Sequence, residues 1–299
     1  MDQRLFVFGL GYCATYLAEK CLAAGWQVSG TVRSADKARH LQRQGIAAHV
    51  FTGDVFTGDV FAGDTPDQAL LDDLAAAPYV LQSVGLINGQ DPILPSFQEQ
   101  IIARTRRWVG YLSTTVVYGD HGGAWVDETM PPSPTTARGR ARLAAEAQWA
   151  ALPLPLHIFR LAGIYGPGRN LLNKILAGKT ETIIKPGQVF SRIHVADIAE
   201  LLYASMQAPV ALSGQAEIYN GADSESAPPQ DVAAYAAKLL GCPPPPQVPY
   251  DQATLSPMAR SFYADNKRVA NAKMRTLLGG DLRYPSYREG LTALHASMT

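Results

Sequence analysis

Along the first two-thirds of the chain, short apolar runs alternate with segments whose apolar positions recur every three or four residues. The first run, residues 5–8, reads Leu-Phe-Val-Phe. It is short and uninterrupted, as a strand buried on both faces requires. Residues 14–24 follow, with apolar side chains at 14, 17, 18, 21 and 22 on one helical face, and Gly25 stands where such a helix closes. The alternation continues with strands over 27–32, 46–51, 79–84, 108–112 and 156–161, and helices over 36–44, 66–77, 96–106 and 138–152. Strands separated by helices imply a parallel sheet covered on both faces. The expected class is α/β, a Rossmann-type doubly wound parallel sheet with a smaller C-terminal substrate domain.

After Arg160 the rhythm changes. Further segments occur at 171–177, 195–207, 217–220 and 229–240, then a proline run at 243–246, and two more helices near 266–278 and 286–297. The expected dinucleotide-binding domain covers 1–168, with 189–222 returning to it. The small domain takes 169–188 and 223–299. Between 50 and 64 a pentapeptide of the form Val-Phe-Thr/Ala-Gly-Asp occurs three times. A period of five suits neither strand nor helix, so it reads as a lengthened loop after the third strand.

Charge narrows the partners. The 26 basic residues balance the 26 acidic ones, so no overall field directs the chain to nucleic acid or an anionic membrane, and neither is expected as a partner. No apolar run approaches the ~18 residues of a membrane span. Residues 1–4 lead straight into the first strand, with no room for a signal sequence. Three scattered cysteines, Cys13, Cys21 and Cys242, suggest neither a disulfide framework nor a metal site, which points to the cytoplasm.

Chemistry enters at Gly9-Leu10-Gly11-Tyr12-Cys13-Ala14, which fits G-x-G-x-x-A between a strand and a helix. In that setting Gly9 permits the tight turn, and Gly11 lets the backbone approach a pyrophosphate. Ala14 keeps the helix close to the sheet, while the helix N-terminus offers N–H groups to the anion. A ligand-free turn of small residues is the alternative. At the end of the second strand, where an NAD site carries an acid, the chain has Arg33-Ser34. A guanidinium there suits a ribose 2′-phosphate, so NADP(H) is favoured over NAD(H). As a solvated loop residue, Arg33 would decide nothing.

Further motifs follow in order: residues 112–119 (Leu-Ser-Thr-Thr-Val-Val-Tyr-Gly), Val126-Asp127-Glu128, residues 160–169 (Arg-Leu-Ala-Gly-Ile-Tyr-Gly-Pro-Gly-Arg) and residues 192–197 (Arg-Ile-His-Val-Ala-Asp). With the glycine turn, and through Tyr284–Gly290, they resemble the extended short-chain dehydrogenase/reductases, the NAD-dependent epimerase/dehydratase family. The resemblance implies an adenine contact from the acid after the third strand, with Asp54 chosen ahead of Asp59 and Asp64. It also implies a cofactor ribose running beside Ser83 and Val84. The family's Ser/Thr falls on Thr114, and its catalytic Tyr-x-x-x-Lys falls on Arg138 and Arg142. Both catalytic side chains are therefore replaced, as in the family's atypical members. Arg169 and Arg192 read as substrate-phosphate contacts, or equally as cap and loop residues.

Arginine does not give up its proton near neutral pH, so it cannot be the general base. His121, in an exposed loop, and His194, read as a structural hydrogen-bonder, are poor substitutes. Arg138, Arg142 and Glu146 share one helix face at i, i+4 and i+8. Glu146 can answer Arg142, leaving Arg138 for an anionic ligand group, unless the face is simply solvated. Two functions follow: an NADP(H)-dependent oxidoreductase or epimerase acting on a small, anionic, carbonyl or sugar-nucleotide-like substrate, or a catalytically silent dinucleotide-binding redox sensor or regulator. Neither reading requires a metal, and either leaves room for a homodimer.

Overall fold

The computed structural model describes residues 3–52, 66–178, 180–208 and 215–298. Most of the pentapeptide repeat, with Asp54, lies outside the described residues. The main sheet has strands β1 (Arg4–Phe8), β2 (Gln27–Val32), β3 (Ala47–Val50), β4 (Tyr79–Gln82), β5 (Trp108–Thr114), β6 (Leu156–Leu161) and β7 (Glu217–Gly221). Their order is β7-β6-β5-β4-β1-β2-β3. The pairs β1–β2, β2–β3, β1–β4 and β4–β5 are parallel. The order reverses beside β1, whose neighbours are β2 and β4, and a sheet of this kind receives its ligand at such a switch point.

Helices α1 (Tyr12–Ala23), α2 (Ala35–Arg43), α3 (Gln68–Ala76), α4 (Leu94–Ile102) and α5 (Ala137–Ala150) fill the intervals between the first six strands. Then come α6 (Leu171–Leu176), α7 (Val195–Gln207), α8 (Pro229–Leu240), α9 (Pro257–Phe262), α10 (Ala272–Leu278) and α11 (Tyr287–Ala296).

By its contacts the chain divides into two compact units. The first comprises Met1–Ser113, Ala141–Phe159 and Ala199–Ile218. Phe6 and Phe8 of β1 pack there with Val80, Phe97, Tyr111 and Trp149 in one buried cluster. The run at 5–8 lacks polar alternation because the strand is central. Helix α4 ends at Ile102, short of the expected 106, and Arg106 shows why. Its buried guanidinium turns back to donate to Ile101 O (3.0 Å), Gln100 O (2.8 Å), Leu74 O (2.9 Å) and Ala77 O. One cation thus satisfies the exposed carbonyl ends of α3 and α4.

The second unit comprises Thr114–Arg140, Arg160–Ile198 and Tyr219–Thr299. Small parallel strand pairs link Gly163–Tyr165 with Arg192–His194, Thr182–Ile184 with Gln247–Pro249, and Trp125–Val126 with Arg268–Val269. The last pair takes up the start of the segment expected as a helix over 266–278, so α10 begins only at Ala272. The fully buried Asp197 accepts Arg283 N (2.7 Å) and Tyr284 N (3.1 Å), fixing the segment that leads into α11. Tyr165, Val232, Tyr287 and Leu291 share the unit's core.

Helix α11 crosses Tyr165 at Gly290, where an added Cβ would stand 2.0 Å from Tyr165 Oη. Two effects oppose each other in Gly290→Ala. Alanine gains about 1 kcal/mol of helix propensity, but a contact that close forces the ring out of its well-packed seat, and overpacking of this kind costs about 1–3 kcal/mol. The clash wins. Gly290→Ala is expected to lower the melting temperature by several degrees, and thermal denaturation followed by circular dichroism checks it.

Candidate dinucleotide-binding site

The chain leaving β1 enters its turn at Gly9 with φ +80°, a left-handed conformation that side-chain-bearing residues rarely adopt. A Cβ there would also stand 2.7 Å from Val84 Cγ2. Gly9 N donates to Thr31 Oγ1 (2.9 Å) and Leu10 N to Thr31 O (2.8 Å), so β2 holds the turn from the other side. Gly11 N closes on Gly9 O at 2.6 Å. Gly11 is then the N-cap of α1, in extended conformation, and no side chain caps the first turn. Ala14 is fully buried, as close seating of α1 on the sheet requires, and Cys13 is buried beside it. This is the cradle a pyrophosphate fits: close backbone approach and a helix N-terminus whose cap residue is a glycine.

At the end of β2, Arg33 is exposed, and Ser34 is the N-cap of α2, its Oγ accepting Lys37 N at 3.4 Å. Desolvation, and then the positive charge of Arg33, pull the Lys37 ammonium below its usual range, which places two cations near one another. Asp36, the nearby acid, pairs with Arg39. Among the described residues neither Arg33 nor Lys37 has an ion-pair partner. On the other side of β1, Ser83 N donates to Phe8 O (2.9 Å), and Val84 lies against Gly9. The first unit thus brings Gly9–Ala14, Ser83 and Val84 to one end of β1. Asp54 lies outside the described residues.

Two neighbours of the turn and of Arg33 were missed from sequence: Thr31 and Lys37. Lys37 carries a faint signal, since it sits four residues after Arg33. Thr31 becomes legible only once β2 is known to lie beside β1.

On α5, Arg142 is held within the first unit. Its guanidinium donates to Tyr111 Oη (2.8 Å) and Leu112 O (3.4 Å) on β5. Burial pushes the Tyr111 hydroxyl up to about 12 against the pull of that guanidinium. Glu146 accepts from Ser113 Oγ. In the second unit, Thr114 Oγ1 accepts Val116 N (3.3 Å), capping a short 3₁₀ turn, and Arg138 stacks over Phe262 at 5.1 Å. A permanent cation at position 142 can orient polar groups and stabilise negative charge, but it cannot exchange a proton at neutral pH.

Other candidates of the second unit serve structure. Burial, reinforced by Arg283, pushes His194 down to about 4. Its Nδ1 accepts Ala196 N (3.2 Å), and its ring packs between Tyr165 and Tyr284. Arg192 donates to Phe190 O (2.8 Å) and Ala227 O (3.2 Å). Near it, Asp223 is 1 % exposed, and its Oδ2 has no hydrogen-bond partner. Burial pushes its carboxyl up to about 8 in spite of Arg192.

A folded state that raises a carboxyl pKa binds the proton more tightly than the unfolded chain, so stability falls as pH rises from the unfolded value toward the folded one. For Asp223 the window is about pH 4 to 8. His194 opposes it at the acid side, since stability from its neutral form is lost as pH falls from about 6.5 to 4. Asp223→Asn removes the first term alone. Its melting temperature is expected to hold from pH 6 to pH 8 where that of the unaltered chain declines; parallel declines in both would refute the assignment.

Comparison with family models gives no match. Among curated proteins, the chain is 29% identical to Protein YeeZ of Escherichia coli K12 over 248 residues, covering 81% of this chain and 86% of YeeZ. It is also 29% identical over 181 residues to a 3-diazoavenalumate denitrifying reductase of Streptomyces, covering 56% and 55% of the two chains. Among solved structures, a functionally unknown conserved protein from Silicibacter pomeroyi is 48% identical, with TM-score 0.84 over 99% of both chains. Two others share the fold at 18% identity. They are human SDR39U1 with NADPH (TM-score 0.70; 98% of both chains) and the Bacillus cereus UDP-glucuronic acid 4-epimerase with NAD (0.71; 98% and 97%). The chain belongs to one family with the Silicibacter pomeroyi protein, and its fold is that of the extended short-chain dehydrogenase/reductases of NAD-dependent epimerase/dehydratase type.

Proposed function

We propose that the protein binds a nicotinamide dinucleotide at the Gly9–Ala14 turn, prefers NADP(H), and acts as an oxidoreductase or epimerase on a small anionic substrate. The observation that carries the reading is the glycine-capped N-terminus of α1, reached through a turn bonded to Thr31 on one side and packed on Val84 on the other. Fold relatives with NADPH and with NAD, and a reductase among the sequence relatives, support it. Arg33 and Lys37 favour the phosphorylated ribose, because two cations without carboxylate partners among the described residues gain most from a dianion. When bound, the cofactor supplies or accepts a hydride. Arg142, fixed on β5 by Tyr111, would hold polar or anionic groups. With arginines at 138 and 142, any proton must come from water or from the substrate itself.

Replacement of both catalytic side chains favours a second reading, a silent dinucleotide-binding sensor. Turnover separates the two. Oxidation of NADPH with any member of a panel of carbonyl, diazo and sugar-nucleotide compounds supports the enzyme; tight binding with no turnover across the panel supports the sensor.

Arg33→Ser is expected to weaken NADPH binding ten- to a hundredfold, the loss of about 1.5–3 kcal/mol from a charge-assisted contact, and to leave NADH binding within twofold. Lys37→Gln should act in the same direction by a smaller factor. Titration calorimetry with both dinucleotides measures the pair, and equal losses for NADPH and NADH would defeat the assignment of the phosphate. The double variant Arg138→Tyr/Arg142→Lys is expected to gain NADPH-dependent carbonyl reduction over the unaltered chain. If it folds and binds cofactor but remains inert, the substrate pocket itself has diverged.

A further inference from the structure

The carboxylate of Asp91 is 3 % exposed and receives four donors. Its Oδ1 accepts the backbone N–H groups of Ile93 (2.8 Å) and Leu94 (3.1 Å) at the start of α4. Its Oδ2 accepts Trp149 Nε1 (2.9 Å) from α5 and Gln82 Nε2 (3.0 Å) from the last position of β4. A buried carboxylate offsets its desolvation only through such donors, so the cluster holds its members firmly.

Gln82, itself 1 % exposed, is engaged at both ends of its amide. Nε2 faces Asp91, and Oε1 accepts the backbone N–H of Val84. The amide has one workable orientation, since a flip would set its oxygen against the carboxylate and its NH₂ against an N–H donor. Val84 is also the residue whose Cγ2 occupies the space beside Gly9. A chain of contacts therefore runs from Trp149 and Asp91 through Gln82 to Val84 and ends on the glycine turn. None of these links is the turn's own hydrogen bonding.

We infer that Gln82 is a positioning residue for the dinucleotide: with Asp91 it latches residues 83 and 84 against Gly9 and so fixes the backbone that the pyrophosphate approaches. The inference rests on the dinucleotide-binding reading above. It assigns to Gln82 a role in affinity for the shared part of NADPH and NADH, whereas Arg33 acts on the 2′-phosphate alone.

The test uses the full chain with Gln82→Met, which has similar length but leaves Val84 N–H and one lone pair of Asp91 without partners. Trp149→Phe is the control, removing the other donor from the same Asp91 oxygen while leaving Gln82 in place. Melting temperatures, dissociation constants for NADPH and NADH, and amide hydrogen exchange without ligand over residues 9–11 and 82–86 are measured for each. Both variants are expected to lose stability. Only Gln82→Met should weaken both dinucleotides tenfold or more, with faster exchange at Val84 and the turn. If Gln82→Met does not fold, Gln82→Asn replaces it with the same expectation, since the shorter amide cannot reach Asp91 and Val84 N–H together. The latch is overturned if the Gln82 variant binds within twofold of the unaltered chain, or if Trp149→Phe weakens binding as much. Should the unaltered chain bind neither dinucleotide, the underlying reading fails and the latch with it; binding by the unaltered chain and the variant alike defeats the latch only.

Discussion

The absence of a side chain at Gly9 is the constraint on which the candidate site depends. Central placement of β1 puts β2 on one side of the departing chain and β4 on the other, and both reach the turn. Thr31 holds it by two hydrogen bonds, and Val84 fills the space where a Cβ would stand. A left-handed φ and a close contact coincide at one residue, so any other amino acid there would meet backbone strain and steric overlap together. The helix that follows is left without a side-chain cap, which would be a small loss of stability in a purely structural helix. At the edge of a parallel sheet, the same omission leaves room for an anion.

Around that grip, charge is distributed unevenly between positions that bind and positions that could react. Among the described residues Arg33 and Lys37 stand without carboxylate partners at the end of β2, while Asp36 pairs with Arg39. Arg142 is different. Its guanidinium lies on β5 through Tyr111 Oη and Leu112 O, and the buried tyrosine hydroxyl accepts a hydrogen bond that suits the cation. Both bonds leave the same guanidinium nitrogen, which holds the side chain along the strand. A fixed positive charge is thereby held at that place on α5.

Much of the fold was legible in the sequence because its signals are local. The apolar run at 5–8, the glycines after helices and the alternation of strand and helix each follow from a few adjacent residues. The misjudged stretches depend on distant partners. Helix α4 ends early because Arg106 satisfies carbonyls of α3, thirty residues upstream, as well as its own. Residues 268–269 are a strand because Trp125–Val126 offers them an edge. The candidate site divides in the same way. Gly9, Gly11 and Ala14 announce themselves by spacing, whereas Thr31 and Gln82 act through neighbours set by strand order. Nothing in the spacing of Gln82 distinguishes it from any other polar residue at the end of a strand.

Gripping a dinucleotide and using one make different demands on a sequence. The grip needs backbone shape, small residues and fixed charge, and the chain supplies these from β1, β2 and β4, with hydrogen bonds on one side of the turn and the Val84 side chain on the other. Chemistry at a carbonyl needs, in addition, a group whose proton moves near neutral pH. The arginines of α5 have no such proton, and two strongly shifted groups of the second unit are engaged in packing: His194 caps α7, and Asp223 is buried at 1 % exposure. Hydride transfer itself requires only proximity and orientation.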